Sequence, residues 1–446
     1  MKLMHLSDLH LGKRVNGFSM LEDQRKILEQ ILALTAEHRP DGILIAGDLY
    51  DKSMPSAEAV ELADWFLSSF AERKVPVWVI SGNHDCAQRV AYGSRMLEQS
   101  GIYMARVFDG TLQGYTVMKR QDGSVSVGST CPGNASSGSV CPGSASSDGM
   151  CPGSVSPDGI CSGSASPGSD PEMADIWLLP YIRPVQVRKY FPRQVIETTQ
   201  QAVDAVLGSV SLSRDRVNIL LMHQFLAGAS VCDSEEISVG GSDQVSASSV
   251  DAFDYVALGH LHGPQRVGRD TVRYCGSPLK YSFSETDHRK SVTVIEIGNN
   301  TESGRKAEAD IAAFGRQTAS DRIRLSMLPL IPYRDLREIR GPIEQLLSPE
   351  VYRETNTEDY LHITLTDENP VLDAIGKLRQ VYPNIMRLDF AVASESATVQ
   401  EEITIEEKTA PELFEEFFFR QNGREMSGEQ KRITEEIWET MILKND

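Results

Sequence analysis

Five short segments of this 446-residue chain end in residue types that hold metal ions. They are Asp8-Leu9-His10, Gly47-Asp48-Leu49-Tyr50-Asp51, Gly82-Asn83-His84-Asp85, His223, and Gly259-His260-Leu261-His262. Each follows a short apolar run: KLMHLS, DGILIAG, VPVWVIS, VNILLMH and FDYVALG in turn. Singly, an Asp-x-His or His-x-His is an ordinary polar turn after a buried strand. Five such elements in the same position relative to a strand point to one site. Residues two apart in extended chain point the same way, so each spaced pair can aim at one centre. Glycines ahead of Asp48, Asn83 and His260 permit tight turns that bring backbone close to it. Carboxylate, imidazole and amide without thiolate suit first-row divalent ions better than a structural zinc site. One carboxylate shared by two ions would hold them about 3.5–4 Å apart, an arrangement that clamps both oxygens of a phosphoryl transfer.

Such segments need a scaffold that brings strand ends together. The runs are continuous in Val, Ile and Leu, as strands buried on both faces are. Between the first three lie helical patterns, LEDQRKILEQILALTAEH and SAEAVELADWFLSSFAER. Residues 1 to 298 therefore read as an α/β layered domain. With the strands as parallel neighbours, the five ends converge at one carboxyl edge.

Residues 121–172 interrupt this domain with repeats at a period of ten that place Cys131, Cys141, Cys151 and Cys161 in register. Gly, Ser, Pro and Asp leave little to bury, so a disordered, tolerated insert at a loop tip is expected. A four-cysteine metal site is the weaker alternative, because structural zinc ligands come in closely spaced pairs. Residues 299–321 read as a linker. From 322 to 395 the pattern is strand RIRLSML, helix YRDLREIRGPIEQLL, strand DYLHITLT, helix PVLDAIGKLRQVY and strand IMRLDFAV, a small α+β module. Asn369 and Pro370 suit the cap and first turn of its second helix. In the tail, 400–446, Thr409 with Glu412 and Ser427 with Gln430 have capping-box spacing. Leu413, Phe414, Phe417 and Phe418, then Ile433, Ile437 and Met441, make apolar helix faces that must dock on the chain's own domain or on a partner.

The net charge of -19 is unlike a protein that grips nucleic acid unaided, since phosphate neutralisation dominates that affinity. Either the substrate is something else, or basic clusters, bound cations and a partner supply the positive field. No run of about 18 apolar residues offers a membrane span, and MKLMHL meets Asp8 before a signal-peptide core forms. Seven cysteines without a C-x-x-C pair suit a reduced, cytoplasmic protein.

The ordered set D-x-H, G-D-x-x-D, G-N-H-D, H and G-H-x-H resembles the motif series of the calcineurin-like metallophosphoesterases. LMHQFLAGA, VGGSDQV, DYVALGHLHGPQ and YCGSPLKYSFSE are similar to its branch of SbcD-type nuclease subunits. The likeness runs from residue 1 to about 120 and from about 175 to 295, and is fainter beyond. It implies a four-layer α/β/β/α sandwich with a smaller α+β capping domain that closes on DNA and a C-terminal helical tail. The repeats then expand the tip of a family hairpin spanning about 115 to 180. The resemblance places one metal on Asp8, His10, Asp48 and His262, and the other on Asp48, Asn83, His223 and His260, with manganese as the ion. His84 matches the family histidine that stabilises the pentacovalent phosphorus or protonates the leaving 3′ oxygen. Asp51 is a candidate carboxylate for orienting it, with a loop cap as the alternative, and Asp85 stays open between orienting and structural roles. Lys13, Arg14, Arg266 and Lys280 are candidate phosphate contacts.

No Walker A loop is present, so ATP dependence must come from a partner. The resemblance names that partner as an SbcC-type coiled-coil ATPase, gripped by the tail helices. It implies a homodimer within a heterotetramer, acting as an ATP-dependent double-strand exonuclease and single-strand or hairpin endonuclease in DNA repair, recombination and replication. The competing reading is a metallophosphoesterase for small phosphoesters or nucleotides. A non-catalytic scaffold of the same fold is a third, opposed by the complete ligand set.

Overall fold

The computed structural model describes residues 1–130, 172–233, 235, 243–298, 322–367, 369, 371–391, 414–415, 418 and 425–434. The four-cysteine repeats, the 299–321 linker, Pro370, Thr409, Glu412, Leu413, Phe417, Ile437 and Met441 lie outside the described residues. Met1–Asp389 make one compact unit and Phe390–Asp446 another.

In the first unit two sheets stack. One is six-stranded, in the order Ile323–Pro329, Ser291–Ile297, Lys2–Leu6, Gly42–Ala46, Val77–Ile80, Ile102–Met104. The other is seven-stranded, in the order Gln265–Val267, Arg269–Tyr274, Tyr255–Gly259, Val217–His223, Glu172–Leu179, Gln113–Lys119, Val125–Thr130. The strands Gly42–Ala46, Val77–Ile80, Val217–His223 and Tyr255–Gly259 are buried at every residue. Each has the opposite sheet on one face and helices on the other, which explains their unbroken apolar runs. Leu44, Trp78, Ile219, Leu221 and Tyr255 fill the space between the sheets. Helices Leu21–His38 and Ala57–Glu72 cover the first sheet through Ile27, Ile31, Phe66 and Phe70. Helix Thr199–Leu207 covers the second through Val203 and Val206. The architecture is the expected α/β/β/α sandwich.

The five site-bearing strands are not all neighbours, contrary to the simplest reading of the sequence. Lys2–Leu6, Gly42–Ala46 and Val77–Ile80 are parallel in one sheet; Val217–His223 and Tyr255–Gly259 are parallel in the other. Their carboxyl ends meet across the sandwich. A Cβ on Gly47 would overlap the His223 ring, and one on Gly259 would overlap the Ala46 carbonyl. Only glycine allows two opposing strand ends to approach this closely.

The insert begins later than its composition suggests. Val125–Thr130 pairs antiparallel with Gln113–Lys119, which also pairs with Glu172–Leu179. Residues 125–130, which composition alone would assign to the insert, are therefore strand, because the hairpin partner orders what local composition would leave open. The second module also departs from expectation. Ile323–Pro329 joins the edge of the main sheet beside Ser291–Ile297. YRDLREIRGPIEQLL is not one helix: Leu336–Gly341 is a strand parallel to Tyr360–Leu365, followed by a short helix, Ile343–Leu346. Pro342 disfavours helical backbone at Gly341, and pairing with a buried neighbour overrides the helix-forming side chains. Tyr360–Leu365 keeps the expected alternation, with Leu361, Ile363 and Leu365 buried. Asp373 rather than Asn369 caps the next helix, accepting from the Gly376 N–H at 3.3 Å.

In the second unit the capping box at Ser427 is present. Its N–H donates to Gln430 Oε1 at 2.9 Å, and the Gln430 N–H donates to Ser427 Oγ at 3.3 Å. Among the described residues no helix is long and apolar enough to cross a membrane.

Candidate metal centre

After strand Lys2–Leu6 the chain turns with Asp8 at φ 53° and His10 at φ 44°. Asp48 lies at φ 48° and His260 at φ 104°. Left-handed backbone at non-glycine residues costs about 1–3 kcal/mol each and persists only where the surroundings over-determine it. Four of the eight non-glycine residues with positive φ among the described residues are expected ligands.

The side chains converge. Ligand atoms of Asp8, His10 and His262 lie within 4.8 Å of one another, and so do those of Asp8, Asp48 and His223. His10 Nε2 faces His262 Nε2 at 3.0 Å. Asp48 Oδ2 lies 3.7 Å from His10 Nε2 and 3.2 Å from His223 Nε2. Asn83 Oδ1 is 3.0 Å from both His223 Nε2 and His260 Nδ1. Asp48 thus stands between two groups, the position a shared carboxylate needs. Asp8 Oδ2 and His10 Nδ1 are buried without a hydrogen-bond partner. Orphaned polar atoms are costly in a dry site, and opposed imidazole nitrogens with a free carboxylate oxygen suit divalent ions.

The electrostatics agree. Burial pushes the Asp8 carboxyl up to about 6 and holds His260 down to about 3. Burial also opposes charge on Asp48, but the neighbouring His223 and His10 hold it well below the usual carboxylate range. Against its own burial, His223 is raised to about 9 by Asp48. Asp48 and His223, 3.2 Å apart and both buried, each favour the other's charged form.

His223 and His262 are each aimed by what the other ring nitrogen touches. His223 Nδ1 lies 2.8 Å from the Ala46 carbonyl, so it donates there and leaves Nε2 for the site. His262 Nδ1 lies 3.1 Å from Glu285 Oε1. The Lys290 ammonium donates to Glu285 Oε2 at 2.5 Å and to the His262 carbonyl at 2.9 Å. Gln24 and Tyr281 reach the Leu9–His10 turn from below. Sequence reasoning misses these four supports. Tyr281 and Glu285 sit in the YSFSE block that carries the resemblance. Gln24 shows only as a polar break in the buried stripe of an amphipathic helix, and Lys290 gives no local signal.

His84 donates its N–H to Asp48 Oδ1 at 2.9 Å, and its Nδ1 lies 3.0 Å from the Asp51 backbone carbonyl. The Asp51 carboxylate does not orient this ring, contrary to the expectation from sequence. The loop turns it away, to Lys13 Nζ at 2.8 Å and 3.9 Å from His10 Nδ1. Asp85 accepts from the Leu49, Tyr50 and Gly82 N–H groups at 3.1, 2.9 and 3.0 Å, which makes it a clamp between two site loops. Of the four candidate phosphate contacts, Lys13 alone touches a residue of the cluster. Arg14 donates to the Gly17 carbonyl at 2.5 Å. Arg266, 62% exposed, pairs with Asp270, and Lys280 pairs with Asp335 at 3.0 Å.

Comparison with known proteins agrees with this geometry. The calcineurin-like phosphoesterase profile matches residues 1–264, and the profile of the type 5 capsule protein repressor C-terminal domain matches residues 332–422. The chain is 30% identical over 431 residues to the D subunit of the nuclease SbcCD from Staphylococcus epidermidis, covering 96% of this chain and 95% of that protein. The chain belongs to the calcineurin-like phosphoesterases and, within them, to the SbcD family of nuclease subunits.

Proposed function

We propose that this calcineurin-like phosphoesterase is the nuclease subunit of an SbcCD-type complex and hydrolyses DNA phosphodiester bonds. The observation that carries the reading is Asp48 Oδ2 standing between His10 Nε2 and His223 Nε2, at 3.7 and 3.2 Å, in a chain related along 96% of its length to a nuclease subunit. Asp8, His10, Asp48 and His262 would hold one divalent ion; Asp48, Asn83, His223 and His260 would hold the other, with manganese as the ion in each. Bound there, the ions supply a hydroxide-like nucleophile near neutral pH and offset charge on the phosphoryl oxygens.

The chain's own residues do the rest. The His84 N–H fixes one oxygen of Asp48, leaving the other toward His10 and His223. His84 Nδ1 donates to the Asp51 carbonyl, so Nε2 faces the reaction and, when the ring carries its second proton as imidazolium, gives that proton to the leaving 3′ oxygen or donates to a phosphoryl oxygen. Lys13, neutralised in part by Asp51 and bonded through its N–H to the His10 carbonyl, is the candidate cation for an incoming phosphate. With a net charge of -19, the ions and a partner supply most of the attraction for DNA.

That partner is an SbcC-type coiled-coil ATPase, docked by the tail, where Phe414 and Ile433 are 40% and 45% exposed. A second copy of the chain would cover the apolar side chains of Met54, Tyr92 and Met96, exposed by 71%, 82% and 71%. With manganese and the ATPase partner, the purified protein should degrade linear duplex DNA in an ATP-dependent manner. Hydrolysis confined to phosphomonoesters, or DNA cleavage indifferent to the partner, would overturn this reading.

A further inference from the structure

Two consecutive residues of the second module, Arg334 and Asp335, each meet an opposite charge on the phosphoesterase body. Arg334 Nε and Nη2 reach the two carboxylate oxygens of Asp23 at 2.9 and 2.8 Å. Asp335 Oδ2 accepts from Lys280 Nζ at 3.0 Å. Asp23 is fully buried, and its other hydrogen bond comes from the module's Tyr360 hydroxyl at 2.8 Å. Among the described residues, then, every hydrogen bond to the Asp23 carboxylate comes from the module.

The chain neighbours of these two anchors hold the metal-ligand turn. Next to Asp23, Gln24 donates to the His10 carbonyl at 2.7 Å and accepts from the Gly12 N–H at 2.9 Å. Next to Lys280, the Tyr281 hydroxyl donates to the Leu9 carbonyl at 2.7 Å. Gln24 also donates to that hydroxyl at 3.1 Å, which ties the two supports together. The turn they hold is the strained one, with Asp8 and His10 on either side of Leu9 in left-handed backbone.

We propose that Arg334 and Asp335 are positioning residues for the Asp8, His10 and His262 half of the metal centre, acting through Asp23–Gln24 and Lys280–Tyr281. A buried carboxylate stripped of its cation is strongly disfavoured. Without Arg334 the start of helix Leu21–His38 shifts until water reaches Asp23, and Gln24 shifts with it. The His10 carbonyl then loses the Gln24 donor and keeps the Lys13 N–H at 3.0 Å, and a strained turn relaxes. The other half of the centre is braced by the Ala46 carbonyl behind His223 and by the Asp85 clamp, and among the described residues neither of these hydrogen-bonds to the module. The module is on this account a working part of one ion site. The inference rests on the division into two ion sites proposed above, and is independent of DNA as the substrate.

Calorimetric titration of the metal-free, full-length protein with manganese(II) tests it. Arg334→Met should weaken one of two binding events by about 10- to 100-fold, the range for groups that orient metal ligands, and leave the other unchanged. Lys280→Glu and Asp335→Lys should each weaken that same event, and the double variant should restore it, a recovery that independent structural damage would not produce. This swap carries the test if Arg334→Met fails to fold. As a control, Arg387→Met breaks an exposed ion pair within the module, with Asp389, and should alter neither event. Equal weakening of both events, no weakening, or no restoration by the swap would overturn the proposal. A normal two-event pattern in a protein inactive on DNA would count against the nuclease reading alone.

Discussion

In the proposed metal centre the Asn83, His223 and His260 half has His223 aimed by a backbone carbonyl, whereas the Asp8, His10 and His262 half has His262 aimed by a buried carboxylate. His223 is aimed by the Ala46 carbonyl, and the Asn83 loop is tied by three amides to Asp85. His262 is aimed by Glu285, which is itself held by Lys290. The Leu9–His10 turn is held by Gln24 and Tyr281, in addition to the Asp8 and His10 N–H bonds to the Gly47 and Asp48 carbonyls. Backbone supports come with the strands that form the sandwich, so the first half is assembled as soon as the sheets pack. Side-chain supports come from residues 24 and 281–290 and from the module behind them, so they can tune a turn that the backbone already places. A carboxylate behind an imidazole also strengthens it as a donor more than a neutral carbonyl does.

The largest expected effect tests what the halves share. Asp48→Ala should abolish retention of both ions in elemental analysis and lower cleavage by about 10³-fold or more. One fully retained ion would mean that Asp48 belongs to a single half. Next is a residue assigned to neither half: His84→Ala should cut DNA cleavage by about 10²–10⁴-fold while both ions stay bound. Metal loss in that variant would recast His84 as a support of the site. The smallest effect sharpens the contrast itself. Glu285→Gln keeps an acceptor for His262 Nδ1 but removes the charge, and should weaken one ion by about 10- to 100-fold without moving the other. If both ions weaken together in a manganese titration, the difference between carboxylate and carbonyl support has no functional weight.

Much of the site was legible in the sequence because its parts are local. Asp8, His10, Asp48, Asn83, His223, His260 and His262 each follow an apolar run, and the carboxyl end of a buried strand is where the chain can expose a polar group to a site. Side-chain direction within a loop is not local. Asp51 and Asp85 sit in equally suggestive motifs, yet Asp51 turns its carboxylate to Lys13 and Asp85 spends its oxygens on amides. The reading of 333–347 as a helix failed for a related cause. Its helix-forming side chains were outweighed by pairing with Tyr360–Leu365, a strand distant in sequence.

The histidines at the end of strand Tyr255–Gly259 mark the division. Sequence alone determined that a strand ends there, that His260 and His262 flank a buried leucine, and that glycine precedes them, because period and turn chemistry act between neighbours. Tertiary structure alone decided that His260 meets Asn83, 177 residues away, while His262 faces His10, 252 residues away. Those partners lie on the opposite sheet, and which strand ends meet across a sandwich depends on how the two sheets pack.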